Sequence, residues 1–354
     1  MNKHRYIPSL HRLALLTAAA TFPLIFMGGL VTSHGAGMSV PDWPNSYGYN
    51  MFLFPPRLWV GGILYEHTHR LMGTVVGMLS IALTFWAWQT EPRRWVRWLA
   101  TGVLGAVIFQ GVLGGLRVVL VELNLAVVHA CLAQAFFCMA ALVAVVTSRR
   151  WVEADDLSPD EQSGPAGRKL FRLAAVAVFS IYVQLVIGAL MRHYGAGLAI
   201  PDLPLAYGKM LPPASEEGLR RINDARLWDA GLPRVTLAQV WLHFAHRVGA
   251  LIVVSHVVPV AVRVLRRHRT AELVRPAVIM LALLAAQVTL GVLTVLYRKP
   301  ADVASAHVAV GALLLVTTFV LAARAGRLYL ARPRAARPAE RAGFGVASAE
   351  LAAA

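Results

Sequence analysis

The sequence predicts an all-α, polytopic membrane protein with eight transmembrane helices, arranged as two four-helix bundles related by a pseudo-twofold axis. Three observations carry this prediction. Apolar residues make up 57% of the 354-residue chain, and the mean hydropathy is +0.58, too apolar for a soluble protein of this size. They gather in eight runs, each close to the roughly 20 residues that cross a bilayer core. The second half of the chain also repeats the first.

The eight runs cover about 13–33, 63–88, 96–116, 124–147, 171–191, 238–262, 274–296 and 303–323. The first follows a basic start and so resembles a signal peptide. Its apolar run is long for one, and a matching run exists in the second half, so it is read as a retained helix. The only two cysteines, Cys131 and Cys138, are seven apart on the fourth run. On a helix they lie about two turns apart, roughly 10 Å, too far for a disulfide, and they are read as packing residues.

The repeat is legible residue by residue. GGLVTSHGAGMSVPDWPNSYG (28–48) aligns without gaps to GALMRHYGAGLAIPDLPLAYG (188–208), with ten of 21 positions identical. Glu66-His67-Thr68-His69-Arg70 then meets His243-Phe244-Ala245-His246-Arg247, QGVLGGLRV (110–118) meets QVTLGVLTV (287–295), and His129 meets His307. The offset grows from 160 to 177 because the second half carries an insertion within 209–237, read as a short external helix with turns. The chain therefore divides into an N-terminal unit (1–147), a polar linker (148–169), a C-terminal unit (170–324) and an Ala-, Arg- and Pro-rich tail (325–354) expected to be disordered. An even number of helices per unit makes the repeats parallel, with their axis along the membrane normal.

The net charge of +16 invites a nucleic-acid reading, but its distribution argues against nucleic acid as a partner. Of 34 Lys and Arg, 22 fall on one side of the predicted membrane and ten on the other. This positive-inside pattern places both termini in the cytoplasm and makes membrane lipid the surroundings of the chain.

Four histidines sit inside this apolar frame. His69 and His129 are 60 apart, His246 and His307 are 61 apart, and the first of each pair precedes an arginine, Arg70 or Arg247. The topology places all four in the outer half of the bilayer, two per unit. Ionisable residues in membrane helices are costly and usually have a task. Two imidazoles facing each other across a helix bundle suit bis-histidine ligation of haem iron. Zinc fits less well, since it takes three or four protein ligands and no further cluster completes a set. A transporter built from repeats would account for the duplication but not for two histidine pairs at matching depth.

GAGMSVPDWP, EHTHRLMG, QGVLGGLRV, AVVHACLAQ, HFAHRVGAL, QVTLGVLTV and SAHVAVGAL together resemble the haem A synthase family, over about residues 10–324. The resemblance implies an eight-helix protein of the bacterial inner membrane that oxidises a porphyrin methyl of haem O to a formyl group through hydroxylated intermediates. It implies His69 and His129 as one axial pair, His246 and His307 as the other, and haem b as cofactor. Glu66 matches the glutamate of the family's E-x-x-H-R motif, whereas His67 falls between motif positions. Some members carry a cysteine pair in the first external loop; residues 34–60 here contain none. A haem O-producing enzyme and cytochrome oxidase assembly factors become plausible partners, and a homo-oligomer is compatible with the sequence.

The repeat also discriminates between the units. Where the first has Glu66 the second has His243, so the ligand is kept and its neighbour changed. A carboxylate beside a haem edge can take a proton or stabilise a developing cation; the alternative is a structural pairing of Glu66 with Arg70 or a loop residue. The expectation is haem O in the N-terminal unit with Glu66 catalytic, and haem b in the C-terminal unit. Arg70 and Arg247 are candidates to pair with haem propionates, the alternative being snorkelling to headgroups. Arg117 is a weaker candidate, because Thr294 replaces it in the repeat. The stiff PDWPNSYG and PDLPLAYG loops read as lids or as interfacial turns, and Gly28, Gly29, Gly111, Gly114, Gly115 and Gly291 as places of close helix or porphyrin approach. A dihaem b-type electron-transfer cytochrome is the alternative to the synthase.

Overall fold

The computed structural model describes residues 5–153, 165–228 and 231–330. Eight helices in it are long and apolar enough to cross a membrane: α1 (Pro8–Ser33), α2 (Gly62–Thr90), α3 (Arg94–Val119), α4 (Leu123–Val146), α5 (Pro165–His193), α6 (Leu237–Arg267), α7 (Ala271–Leu296) and α8 (Ala301–Leu330). The protein is a polytopic all-α membrane protein. A short helix, Arg149–Glu153, follows α4, and another, Glu216–Trp228, lies in the long second-half loop. That second helix is the short helix expected within the insertion.

Several helices outrun the apolar runs that announced them. α6, with 31 residues, would rise about 46 Å, well beyond a hydrocarbon core of about 30 Å. Backbone hydrogen bonding needs no apolar side chains, so a helix continues through its basic flank into the headgroup region. The same effect corrects two expected boundaries. Residues 325–330 continue α8 rather than joining a disordered tail. They are packed there: Gly326 lies against Phe171, Gly167 against Tyr329, and the Tyr329 hydroxyl is 2.9 Å from His268 Nδ1. The linker likewise ends at Pro165, where α5 begins. The remainder of the expected tail, 331–354, lies outside the described residues.

Each half is a ring of four helices. α1 packs on α2 and α4, and α3 closes the ring between α2 and α4; α5, α6, α7 and α8 repeat this arrangement. The histidine-bearing helices are therefore diagonal partners, α2 with α4 and α6 with α8, so their inward residues face across a bundle interior. The halves meet along α1 and α4 on one side and α5 and α8 on the other. Ile25, Phe137 and Ala312 form an apolar cluster at that seam. Each half has its own core, one around Leu10, Leu83 and Phe136, the other around Leu170, Met280 and Leu321. Large apolar side chains such as Met78, Phe85, Phe179 and Leu251 remain exposed on the outside. In lipid those faces need no covering, because helices satisfy their own backbone groups. Cys131 and Cys138 are both free thiols, and Cys138 is buried in the core packing.

Candidate haem-binding sites

The two histidine pairs come together as their spacing predicts. The His69 and His129 rings have centroids 6.4 Å apart and the His246 and His307 rings 6.3 Å, with interplanar angles of 80° and 67°. These distances can be tested against a metal. Two metal–imidazole bonds of about 2 Å on opposite sides of one ion, with about 1.1 Å from each nitrogen to its ring centre, put centroids roughly 6 Å apart. Both pairs fit an ion shared between two axial imidazoles. Among the described residues no group of three or more His, Cys, Asp and Glu could hold a metal, which disfavours a zinc site of ordinary ligand number.

Each imidazole is seated on a glycine of a neighbouring helix. A Cβ at Gly28 would stand 3.0 Å from His69 Cε1, at Gly114 3.4 Å from His129, at Gly188 3.1 Å from His246, and at Gly291 3.1 Å from His307. Helices α1, α3, α5 and α7 thus supply one seat each. Gly29 and Gly115 serve packing instead, against Ser305 and Trp43, while Gly111 faces open space.

Three glutamines line the same interiors. His129 Nδ1 lies 3.2 Å from Gln110 O, the arrangement that frees Nε2 for iron. Gln110 Nε2 donates to His129 O at 3.1 Å and Gln184 Nε2 to His246 O at 2.8 Å, while Gln287 Nε2 lies 3.4 Å from His307 Nε2. Their Oε1 atoms, with His69 Nδ1 and His307 Nδ1, are buried without a hydrogen-bond partner. Native interiors seldom leave buried polar atoms unmatched, and here they fall beside both histidine pairs; a polar or metal-bearing ligand is one established reason. Sequence reasoning missed the glutamines, although an amide inside an apolar run was the available signal.

Over each site lies one of the repeated loops, and the two are built alike. Asp42 accepts from Tyr47 N at 2.7 Å and Gly48 N at 2.8 Å, and Asp202 from Tyr207 N at 2.8 Å and Gly208 N at 2.9 Å. Trp43–Pro44 and Leu203–Pro204 are both cis. The Tyr47 hydroxyl donates to Ser39 O and that of Tyr207 to Ala199 O. In the second half, buried Arg226 ties the insertion to the loop by donating to Leu198 O at 3.1 Å and Ala199 O at 2.8 Å.

The arginines beside the ligands are committed to these loops. Arg70 donates to Val40 O at 2.8 Å, Asp42 O at 2.7 Å, Asn45 O at 3.0 Å and Glu66 Oε1 at 2.9 Å. Arg247 donates to Ile200 O at 2.8 Å and Leu205 O at 2.9 Å. The Glu66 carboxylate is 4% exposed as a residue; besides the Arg70 ion pair it accepts from Val40 N at 3.0 Å. The structure therefore holds Glu66 in a loop latch one turn from His69. His67 faces elsewhere, as its position relative to His69 implied. It is wholly buried, with Nδ1 3.2 Å from Ser46 Oγ and its ring against Phe54 and Trp59.

A further, partly buried arginine was not anticipated. Arg192, in the last turn of α5, donates to Gly29 O, Ser33 Oγ and Ala304 O, and so links α5 to α1 and α8 across the seam. Nearby, the hydroxyls of Ser33 and Ser305 are 3.0 Å apart.

Residues 61–319 match the model of a family described as cytochrome oxidase assembly protein. Among similar proteins, the heme A synthase of Shouchella clausii is 31% identical over 59% of this chain and 68% of its own length. That of Symbiobacterium thermophilum is 28% identical over 80% and 85%, and that of Shewanella oneidensis 26% identical over 85% and 92%.

Proposed function

The chain belongs to the cytochrome oxidase assembly protein family, and on that footing we propose that it is a haem A synthase, oxidising a porphyrin methyl of haem O to a formyl group through hydroxylated intermediates. The observation that carries the reading is the pair of matched histidine sites, 6.4 and 6.3 Å between ring centroids, in two repeated bundles.

His69 and His129 are assigned to substrate haem O, and His246 and His307 to a resident haem b. Iron held between two imidazoles supplies one-electron redox chemistry. The chain's own part is to hold and orient. The glycine seats set the imidazole positions, the glutamines line the interior, and the two loops cap the outer mouths and exclude water. The asymmetry between Glu66 and His243 supports the division of labour, because only the first site has a carboxylate one helical turn from its ligand. Glu66 is assigned a proton-handling role in the N-terminal site. Arg70 and Arg247 fix the loops, and Arg247 keeps an unpartnered Nε that could still serve a propionate.

The same reading places the protein in the bacterial inner membrane with both termini cytoplasmic, in line with the charge asymmetry. Haem O is apolar, which favours direct hand-over from a haem O-producing enzyme and delivery of product to oxidase assembly factors.

The test is haem extraction from the purified protein, produced alongside a source of haem O, with identification by mass. Haem A or a hydroxylated precursor together with haem b is expected. Two haem b per chain despite available haem O would instead make the protein a dihaem electron-transfer cytochrome, a reading that the near-identical geometry of the two pairs also accommodates.

A further inference from the structure

We propose that Arg117 is a carboxylate anchor of the N-terminal site, binding a propionate of the porphyrin held by His69 and His129, and that Lys299 supplies the corresponding cation in the C-terminal site. The proposal rests on the haem reading above and deepens it.

The geometry begins with α3. Gly114 seats His129, and Arg117 lies three residues on, one turn closer to the outer mouth on the same helix face. Its guanidinium reaches the capping loop, where Nη2 donates to Gly37 O at 3.0 Å. A Cβ on Gly37 would stand only 1.7 Å from that nitrogen. A side chain at the second glycine of the GAG turn would therefore push the guanidinium aside.

Arg117 differs from Arg70 and Arg192, while Arg247 in the other half donates to two loop carbonyls and keeps its Nε unpartnered. Arg70 is spent on three loop carbonyls and Glu66, and Arg192 on three acceptors across the seam. Arg117 has a single carbonyl acceptor, and among the described residues no carboxylate lies within ion-pair distance. A partly buried guanidinium with spare donors is matched by a carboxylate, which it can grip with two parallel bonds.

The repeat provides the second observation. Gly197 occupies the place of Gly37, and the side chain against it is Lys299, whose Cδ would be 3.4 Å from an added Cβ. Thr294 stands where Arg117 would be, so the second half brings its cation from the α7–α8 turn instead. A basic side chain thus approaches the same glycine of each loop from a different element, although only at Gly37 would a Cβ collide with it, Lys299 Cδ making an ordinary contact at Gly197. The first site receives a fork-shaped, half-buried arginine and the second an exposed lysine. A planar fork fixes orientation where a point charge does not, which suits the site that must present one particular methyl.

The experiment uses the full chain with His307→Ala, so that only the N-terminal pair can take a bis-histidine spectrum. It is titrated with haem b and with the dimethyl ester of haem b, which lacks free carboxylates. Bis-histidine spectra report binding, with no need for turnover. The chain with Arg117 is expected to prefer the free acid by about ten-fold, the scale of one charge-assisted hydrogen bond. Arg117→Gln should remove that preference by weakening the acid alone, Arg117→Lys should restore part of it, and Lys299→Gln should leave this site unchanged. Equal weakening of acid and ester by Arg117→Gln would make Arg117 a loop support and overturn the proposal, as would no change at all. If the chain with all four histidines binds neither porphyrin, the haem reading falls and takes the proposal with it. Should His307→Ala fail to fold, His246→Ala provides the same single-site background.

Discussion

Glu66 and His243 do the same structural work in the two halves with different chemistry. Glu66 Oε2 accepts from Val40 N at 3.0 Å, and His243 Nδ1 accepts from Ile200 N at 3.2 Å. Each holds down the loop above its own site, but only Glu66 is an acid that can carry negative charge, and only it pairs with the neighbouring arginine. A neutral acceptor is enough for the latch, so the charge on Glu66 calls for a separate reason.

Glu66→Gln separates the two roles. The amide oxygen can still accept the Val40 N–H, and although its NH2 can no longer pair with Arg70, that arginine keeps its three loop carbonyls, so the loop is expected to be loosened but held and haem to remain bound. Loss of the carboxylate should lower haem A formation by roughly 10²- to 10⁴-fold, the usual scale for one general acid or base. Measuring haem content and product in the same preparation checks both. Wild-type product yield in this variant would reduce Glu66 to a latch.

The glycine seats predict site-selective defects. Gly28→Val should displace His69 and deplete the N-terminal haem, while Gly291→Val should displace His307 and deplete only the C-terminal one. An alanine Cβ already comes within 3.0 or 3.1 Å of the ring, so Gly→Ala should show the same pattern more weakly. Haem per chain and the bis-histidine absorption spectrum report each case.

Removing Arg70 should release the first loop. Arg70→Ala leaves the Glu66 carboxylate and three loop carbonyls without their donor, a change of the kind that costs about 3–5 kcal/mol when a buried pair is broken. The measurement is proteolysis of the 39–48 segment, expected to accelerate strongly in Arg70→Ala and only modestly in Arg70→Lys. Cleavage at the wild-type rate would show that the loop is held by Asp42 and the tyrosine alone.

Asp42 makes the first loop acid-sensitive. Its partial burial favours the neutral form, but the N–H groups of Gly48 and Tyr47 and the nearby Arg70 outweigh this and hold its carboxyl below the ordinary value of 3.8. A depressed folded-state pKa contributes stability that is fully present above the unfolded value and is lost as pH falls through the folded one. Loop protection should therefore be flat from neutral pH down to about 4 and decline below that. Asp42→Asn should abolish this acid-dependent step while leaving a weaker, pH-independent cap. Amide exchange at Tyr47 and Gly48 follows it directly.

Much of this architecture was legible in the chain. The eight spans followed from apolar run length, and the diagonal meeting of His69 with His129 and of His246 with His307 followed from repeated spacing. The direction of His67 away from His69 followed from helical rotation. The role of Arg70 was harder to read. A conspicuous arginine beside a haem-type histidine suggests a propionate partner, but sequence cannot show that the capping loop folds back and presents Val40 O, Asp42 O and Asn45 O to it. The surroundings of Arg117 were hidden for a related reason. Its replacement by Thr294 made it the weaker candidate, and sequence does not show that Lys299, from another element, packs against the matching glycine of the second loop.

By itself, the sequence determined the helices, their number, the duplication and the residues able to ligate a metal. These depend on local composition and on periodicity along one chain, which the bilayer's thickness and dryness turn into spans. Only the tertiary structure decided which donors are already spent and which remain available. Hydrogen-bond partners of buried charges come from segments tens or hundreds of residues away, as with Arg192 and Gly29 or Arg117 and Gly37. A guanidinium's role is set by the acceptors that reach it first, and that ordering exists only once the helices are packed.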